Sequence, residues 1–513
     1  MGVVTGYAGG PTAPAPSQQP PARPVPARHV DGPAWVAIIP ALITLAVTIY
    51  QIQRPSLWRD EGATLAAVRR SLPQLLHMLG HTDVVNGAYY VLMWFVTRTA
   101  GTSALALRFP SAVGMAVAAG VIAALGRRLV SARAGLAAGL VFAALPSVTW
   151  YAQNARSYAL VTALATIASY LFVRSMSAAP GRSRRWLAGY GVSVAALGLG
   201  NIFALLLIPA HGLTLALWAR HDRAGRADAP PAPGTAPPVR GWLAASAAAV
   251  AVASPVIVIS VGQRGEVGWL KRLDGAEVAS THQLLGPPAL AVLVLLVIVG
   301  TLALCARRGR LAAGMPSRLL ALSLPWLLLP PAVLLAASAV HAVYAPRYIM
   351  FCAPAAALLA GAGLASLGRA GAAAGLALIV LVALPGQVED RRVASHSEDL
   401  RQLSRLIAAH SRPGDALLFP RLNDREFEAA YPAPYRPLRD VTLAQTSTQS
   451  ATLLGTPAPT QLIRHRLTLI HRLWVIETGT ERGSVPLLDG LGFRESHRWT
   501  VTGIWLVLYT RRT

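Results

Sequence analysis

Two adjacent carboxylates, Asp60 and Glu61, follow the first apolar segment of the chain, within the sequence RPSLWRDEG at residues 54–62. Acidic side chains are favoured in the first turn of a helix, and a helix is predicted to begin near Ala63. A carboxylate beside Trp58 could also serve as a general base or a metal ligand, because desolvation raises its basicity, although its basic neighbours oppose that effect. The sequence leaves both interpretations open.

Two arginines also lie at the edges of apolar segments. Arg156 belongs to the sequence QNARSY at residues 153–158, and Arg347 belongs to YAPRY at 344–348. A bare charge beside the bilayer is costly, so each side chain either reaches the lipid headgroups or binds an anion. The planar guanidinium group suits phosphate because it can bond two oxygens at once.

Composition indicates an integral membrane protein. The mean hydropathy is +0.47, 54% of residues are hydrophobic and only 13% are charged. The net charge of +24 could suggest nucleic acid, but much of the excess lies in short links between apolar segments, where arginine sets topology. No nucleic-acid partner is therefore expected. Cys305 and Cys352 lie in apolar segments, so the sequence implies no disulfide framework. It contains no motif for ATP hydrolysis or classical zinc chemistry.

Eleven segments are apolar enough to be predicted as membrane spans, for which roughly 20 apolar residues are needed. They cover about 34–50, 106–126, 134–151, 157–174, 186–200, 202–219, 241–262, 287–306, 317–340, 348–368 and 370–387.

Arginine-rich links predict the orientation, because basic loops remain cytoplasmic. This rule predicts a cytoplasmic N-terminus, an external loop at 51–105 and an external C-terminus in the cytoplasmic membrane of the cell. Reading the apolar stretch 87–99 as a further span would move the basic links outside. We therefore predict that 72–82 and 86–100 are two helices lying at the outer interface, where aromatic rings are favoured.

The chain is predicted to contain three parts. Residues 1–33 are a Pro-rich tail expected to be disordered and cytoplasmic, and 34–387 form the membrane domain. Residues 388–513 are predicted to form a small external α/β domain. Its expected elements are a helix at 398–410, short buried strands at 414–419 and 473–476, and an edge hairpin or long strand at 499–510.

A set of short motifs carries a family resemblance over roughly residues 34–390. They are, in order, WRDE at 58–61, LRFPSA at 107–112, GRRL at 126–129, YAQNARSY at 151–158, and Arg347-Tyr348 followed by Pro354. In this order and spacing they resemble the bacterial GT-C polyprenyl-phosphate-sugar glycosyltransferases. Within these, they are most similar to the protein-mannosyltransferase-like, aminoarabinose-transferase-like group (glycosyltransferase family 39-like).

The resemblance implies an α-helical GT-C bundle of about 11 transmembrane helices. It also implies transfer of mannose, or another hexose or pentose, from a polyprenyl-phosphate carrier to an acceptor outside the cytoplasmic membrane. Asp60, with Glu61 beside it, would be catalytic, deprotonating the acceptor hydroxyl so that the sugar configuration inverts. Arg156, Arg347 and Arg59 would hold the carrier phosphate.

Other polar side chains in these external segments are expected to contact substrate; they are Tyr89, Asn86, Tyr158, Tyr344 and His282. The sequence departs from the family where a His-Pro-Pro motif is common, since residues 83–90 read DVVNGAYY, with Asn86 in place of the histidine. Ser157 and Asn201 also differ from the acid and histidine that many members carry. These departures leave open both the identity of the sugar and the use of a divalent metal. The sequence identifies no certain cofactor.

The expected partners are a polyprenyl-phosphate-linked sugar, a protein, lipid or glycan acceptor, and membrane lipid. An alternative is a non-catalytic membrane assembly or transport protein that keeps the fold, and a carrier flippase is a third hypothesis. An enzyme needs Asp60, whereas a scaffold should tolerate asparagine there.

Overall fold

The computed structural model describes residues 2–3, 33–224, 238–263, 265, 287–306, 315–478 and 485–511. The chain divides into two compact units, Met1–Pro33 and Ala34–Thr513. Of the first unit, only residues 2, 3 and 33 are described. The described helices and strands belong to the second unit.

Helices dominate as far as residue 389. They are α1 (Trp35–Ile49), α2 (Arg59–Val68), α3 (Leu72–Leu79), α4 (Gly87–Ala100), α5 (Ala104–Leu129), α6 (Ala132–Ala144), α7 (Pro146–Ala152), α8 (Tyr158–Met176), α9 (Pro180–Gly200), α10 (Leu207–Ala224), α11 (Val239–Gly262), α12 (Pro287–Ala306), α13 (Met315–Ser338), α14 (Ala353–Ser366) and α15 (Gly368–Glu389). Short 3₁₀ helices at Ile202–Leu206 and Pro346–Cys352 precede α10 and α14.

Within the described residues, seven helices are long and apolar enough to cross a membrane, or eight if the bent pair α6 and α7 forms one span. Each of the eleven predicted segments contains a helix. The predicted count is higher because α1 and the apolar part of α12 are shorter than a full span, and α9 begins with several arginines. The chain is thus a multi-pass membrane protein with a helical bundle.

A proline break directs the chain towards the site. The axes of α6 and α7 differ by 64°, and the break lies at Leu145, whose backbone is extended. Pro146 explains both features, because it disfavours a helical conformation at the preceding residue and is well tolerated in a first helical turn. After the break, α7 continues to Ala152, and a turn at residues 153–157 follows before α8 begins.

Small residues let the helices of the bundle approach closely. A Cβ atom at Gly300 would lie 2.0 Å from the carbonyl oxygen of Leu359, and one at Gly361 would lie 2.4 Å from the amide nitrogen of Ala138. Such contacts leave no room for a side chain, and they are the usual means by which membrane helices pack.

The segment between α1 and α5 contains three helices, α2 to α4. Helices α3 and α4 occupy the positions predicted for two interfacial helices, and neither is long and apolar enough for a span. Ser71 and Gln74 form a capping box at the start of α3. The indole of Trp94 donates to the carbonyl oxygen of Arg70 over 3.0 Å, which ties α4 to the end of α2.

The predicted C-terminal α/β domain is present. Its helices are α16 (Leu400–His410), α17 (Arg425–Ala430) and α18 (Thr460–Thr468). The strands are β1 (Ala416–Leu418), β2 (Arg439–Asp440), β3 (Leu443–Gln445), β4 (Thr456–Pro457), β5 (Arg472–Thr478), β6 (Phe493–Val501) and β7 (Ile504–Arg511). Five of them form a sheet in the order β2-β1-β5-β7-β6, parallel from β2 to β5 and antiparallel beyond, and β3 pairs with β4.

Candidate active site

Asp60 lies between two arginines that come from distant parts of the chain. Its Oδ2 atom is 3.1 Å from Nη1 of Arg347 and 3.8 Å from Nε of Arg156. Asp60 belongs to the first turn of α2, Arg156 to the turn between α7 and α8, and Arg347 to the 3₁₀ helix Pro346–Cys352. The structure therefore brings together the three residues on which the sequence hypothesis depends.

Glu61 has a different environment from its neighbour. It is fully buried, and Arg108 donates to both of its carboxylate oxygens, from Nε to Oε1 over 2.7 Å and from Nη2 to Oε2 over 2.6 Å. The backbone amide of Ala155 also donates to Oε1 over 3.0 Å. These contacts occupy both oxygens of Glu61, which favours a role in holding the site together and leaves Asp60 as the carboxylate that faces the arginines.

Arg108 in turn fixes the loop that leads to α2. Its guanidinium group donates to the carbonyl oxygens of Ile52, Pro55 and Ser56 over 2.7, 3.2 and 3.1 Å. Five donated hydrogen bonds satisfy the buried guanidinium, as its burial requires. The pair of Glu61 and Arg108 thereby connects α5, the loop at 52–56 and the start of α2.

The turn after α7 is held by hydrogen bonds from several sides. Gln153 donates to the carbonyl oxygen of Thr48 over 2.8 Å. The indole of Trp58 donates to Oδ1 of Asn154 over 2.7 Å, and Ser111 donates to the carbonyl oxygen of Asn154 over 2.8 Å. Arg156 therefore emerges from a rigid turn, and this accounts for the polar residues that precede it in the motif.

The residues in place of the family's His-Pro-Pro motif form a second polar group. Asn86 donates to Oδ1 of Asp83 over 2.6 Å, and the hydroxyl of Tyr90 donates to Oδ2. Burial raises the pKa of Asp83, and the positive charge of Arg156 opposes that rise. Tyr89 is buried, and its hydroxyl has no hydrogen-bond partner among the described residues. A buried hydroxyl without a partner is costly, so this group is well suited to bind a ligand.

The remaining predicted residues fall into three groups. Tyr158 and Tyr344 are buried, Tyr158 within electrostatic reach of Arg156 and Tyr344 just before the 3₁₀ helix that carries Arg347. Arg59 turns towards the C-terminal domain, with Nε 2.8 Å from Oε1 of Glu398. His282 lies outside the described residues.

Two residues of the C-terminal region also reach this site, although no sequence pattern indicated them. His396 is stacked between Trp58 and Trp150, at ring-centroid distances of 4.6 and 4.2 Å. Nδ2 of Asn154 donates to its Nε2 over 3.3 Å. Burial, together with the charge of Arg108, lowers the pKa of His396 well below its usual range, so the ring is neutral.

Glu426, at the start of α17, is the second such residue. It is half-buried, and burial raises the pKa of its carboxyl to about 8, a rise to which the nearby charge of Asp60 adds. Neither residue was predictable, because each lies more than 300 positions from Asp60 in the sequence and belongs to no motif.

A metal-binding cluster is not part of the described site. Over the described residues, no group of three or more histidine, cysteine, aspartate or glutamate side chains is arranged to hold a metal ion. The divalent metal that the sequence analysis left open therefore has no candidate ligand set in these segments.

Comparisons with known proteins agree with this fold. The family model described as dolichyl-phosphate-mannose-protein mannosyltransferase matches residues 87–232, less than a third of the chain. The crystal structure of ArnT from Cupriavidus metallidurans bound to undecaprenyl phosphate is similar, with a TM-score of 0.60 and 13% identity over 92% of this chain and 98% of that one.

The archaeal oligosaccharyltransferase AglB from Archaeoglobus fulgidus, in complex with an inhibitory peptide and a dolichol-phosphate, is also similar. Its TM-score is 0.50 at 12% identity, over 86% of this chain and 69% of that one. A comparison with curated protein sequences gave no match. The matched family model and the shared membrane fold support the resemblance to the protein-mannosyltransferase-like and ArnT-like GT-C glycosyltransferases that the motifs carry.

Proposed function

We propose that this chain transfers a sugar from a polyprenyl-phosphate carrier to a hydroxyl-bearing acceptor on the external side of the cytoplasmic membrane, with Asp60 as the general base. The observation that carries the proposal is the position of Asp60 within 4 Å of both Arg156 and Arg347. A carboxylate and two cations at one point suit a reaction in which a proton leaves an acceptor while negative charge collects on a phosphate.

The two arginines would bind the carrier phosphate. In the absence of donor the single negative charge of Asp60 faces both of these positive charges, which leaves them able to attract a phosphate. The Nε atom of Arg156 is buried and makes no hydrogen bond to any described residue. Phosphate oxygens would supply that partner, and the neighbouring hydroxyl of Tyr89 could donate to them as well. Binding of donor would then draw the arginines towards the phosphate and leave Asp60 free to accept a proton.

The chemical step would be a single displacement. The acceptor oxygen attacks the anomeric carbon, its proton passes to Asp60, and the bond from that carbon to the phosphate oxygen breaks. The bonding electrons remain on the phosphate, where Arg156 and Arg347 stabilise them. One displacement inverts the configuration at the anomeric carbon. Glu61 takes no proton in this scheme, because Arg108 and the amide of Ala155 occupy its oxygens.

Asp60→Asn tests the proposal. The change preserves the shape of the side chain and removes its basicity, and losing a general base typically slows catalysis about 10²–10⁴-fold. Transfer from a radiolabelled polyprenyl-phosphate sugar should fall by that factor, with normal expression and membrane insertion. Near-normal transfer would remove Asp60 from the mechanism. A scaffold of the same fold would show no transfer in either protein.

A further inference from the structure

The C-terminal domain rests directly on the helix that carries Asp60. A Cβ atom at Gly62 would lie 2.1 Å from the carbonyl oxygen of Glu426, so α17 and α2 are in backbone contact. Arg69 donates to the carbonyl oxygen of Ala429 over 2.7 Å, and the amide of Leu57 donates to the hydroxyl of Tyr431 over 2.9 Å. Bonds at both ends of α2 therefore fix the first turn of α17 beside the site.

The carboxyl of Glu426 is uncommitted in this position. Among the described residues it has neither an ion-pair nor a hydrogen-bond partner. Four charged groups act on it: Asp60 and Glu398 disfavour its ionisation, whereas Arg59 and Arg156 favour it. By contrast, Asp415 in the same domain forms a 2.9 Å ion pair with Arg472. Glu426 is thus a half-buried acid that the fold leaves free next to the proposed base.

We propose that Glu426 is an acceptor-positioning residue, through which the C-terminal domain binds the acceptor hydroxyl group beside Asp60. This inference rests on the proposed function. The carrier phosphate would lie on the side of Arg156 and Arg347, since these are the cations of the site. Glu426 reaches Asp60 from the C-terminal domain instead, the side from which a non-membrane acceptor would enter.

The protonation state of Glu426 decides what it can do there. Its pKa of about 8 means that the carboxyl is neutral at pH 7 and donates a hydrogen bond to an acceptor oxygen. Above pH 8 it ionises, repels the carboxylate of Asp60 and loses its donor. Acceptor use should therefore decline as the pH rises through about 8, whereas a glutamine at this position remains a donor at every pH.

The experiment compares Glu426→Gln and Glu426→Ala with the unmodified full chain in lipid nanodiscs. Glu428→Gln is the matched control, because it makes the same substitution two residues away in the same helix. Labelled polyprenyl-phosphate hexoses and pentoses, mannose among them, are offered as donors, and an envelope extract from cells lacking this chain supplies acceptor. We expect Glu426→Ala to raise the apparent acceptor KM about 3- to 10-fold, the usual range for one hydrogen bond, with donor KM unchanged. Glu426→Gln should keep most activity at pH 7 and lose the decline above pH 8.

Three outcomes would overturn the inference. They are an unchanged acceptor KM in Glu426→Ala, the same alkaline decline in Glu426→Gln as in the unmodified chain, and an equal effect of Glu428→Gln. If the unmodified chain transfers no sugar, the proposed function fails and this inference fails with it. Transfer that requires Asp60 but is indifferent to Glu426 would retain the function and refute the inference alone.

Discussion

Removing the negative charge of Glu61 should mainly reduce stability, whereas removing that of its neighbour Asp60 should mainly reduce sugar transfer. Glu61→Gln would remove the charge that balances Arg108 while keeping the side-chain volume. Both partners of this ion pair are fully buried, so solvent cannot compensate the guanidinium. Breaking a buried pair by changing one partner costs about 3–5 kcal/mol, which is roughly 10²- to 10⁴-fold in the folding equilibrium.

The expected result for Glu61→Gln is therefore a loss of stability. The apparent Tm of the detergent-extracted protein should fall, and less of it should stay monodisperse. Asp60→Asn should change both properties less, because the Asp60 side chain is 18% exposed and its ion pairs, at 3.1 and 3.8 Å, are longer than the fully buried 2.6 Å pair of Glu61 and Arg108. Fluorescence-monitored thermal unfolding, run beside the transfer assay, separates the two effects.

A double variant provides the control. Glu61→Gln combined with Arg108→Met removes both charges, and replacing both partners of a buried pair is far less costly than replacing one. The double variant should be more stable than Glu61→Gln alone. If Glu61→Gln keeps the stability of the unmodified chain but abolishes transfer, Glu61 is itself catalytic and the structural role argued for it is wrong.

Three further predictions concern the rest of the site. Arg156→Lys should retain part of the transfer activity, since lysine keeps the charge but not the paired bonds, and Arg156→Ala should retain much less, mainly through a higher donor KM. If neither substitution reduces transfer, Arg156 contacts only lipid headgroups. Gly62→Val should lower the apparent Tm, because its side chain would collide with the backbone of Glu426, whereas Gly181→Val offers a control at which an added Cβ atom meets no other atom within 4 Å. A reporter that fluoresces only in the cytoplasm, fused after Thr513, should stay dark, and fluorescence would reverse the predicted orientation.

The sequence was most informative where a residue type conflicted with its surroundings. Asp60, Arg156 and Arg347 are charged residues beside apolar segments, and this conflict was enough to select them before their proximity was known. The helical bundle was predictable for a similar reason, because apolar length alone indicates a span. The number of spans was less certain, since α9 mixes arginines with apolar residues.

Pairings between distant residues could not be predicted from local pattern. Nothing in the segment around Glu61 indicates that Arg108 would neutralise it, and the two carboxylates therefore appeared equivalent. Likewise, Glu426 occupies an ordinary amphipathic stretch, and only the packing of α17 on α2 brings it to the site. The motif around Arg156 likewise did not indicate that Gln153 and Asn154 hold its turn through hydrogen bonds to distant residues.

The ring of His396 between Trp58 and Trp150 bears on any chimaera made by exchanging C-terminal domains. The last membrane helix ends at residue 389, and a domain exchange would ordinarily be placed directly after it. Yet residues 393–398 contact the segment between α1 and α5: the amide of Ser56 donates to the carbonyl oxygen of Val393 over 2.8 Å, and Glu398 pairs with Arg59. A foreign domain joined at residue 390 would remove the middle ring of this aromatic stack, so the exchange should begin after residue 398.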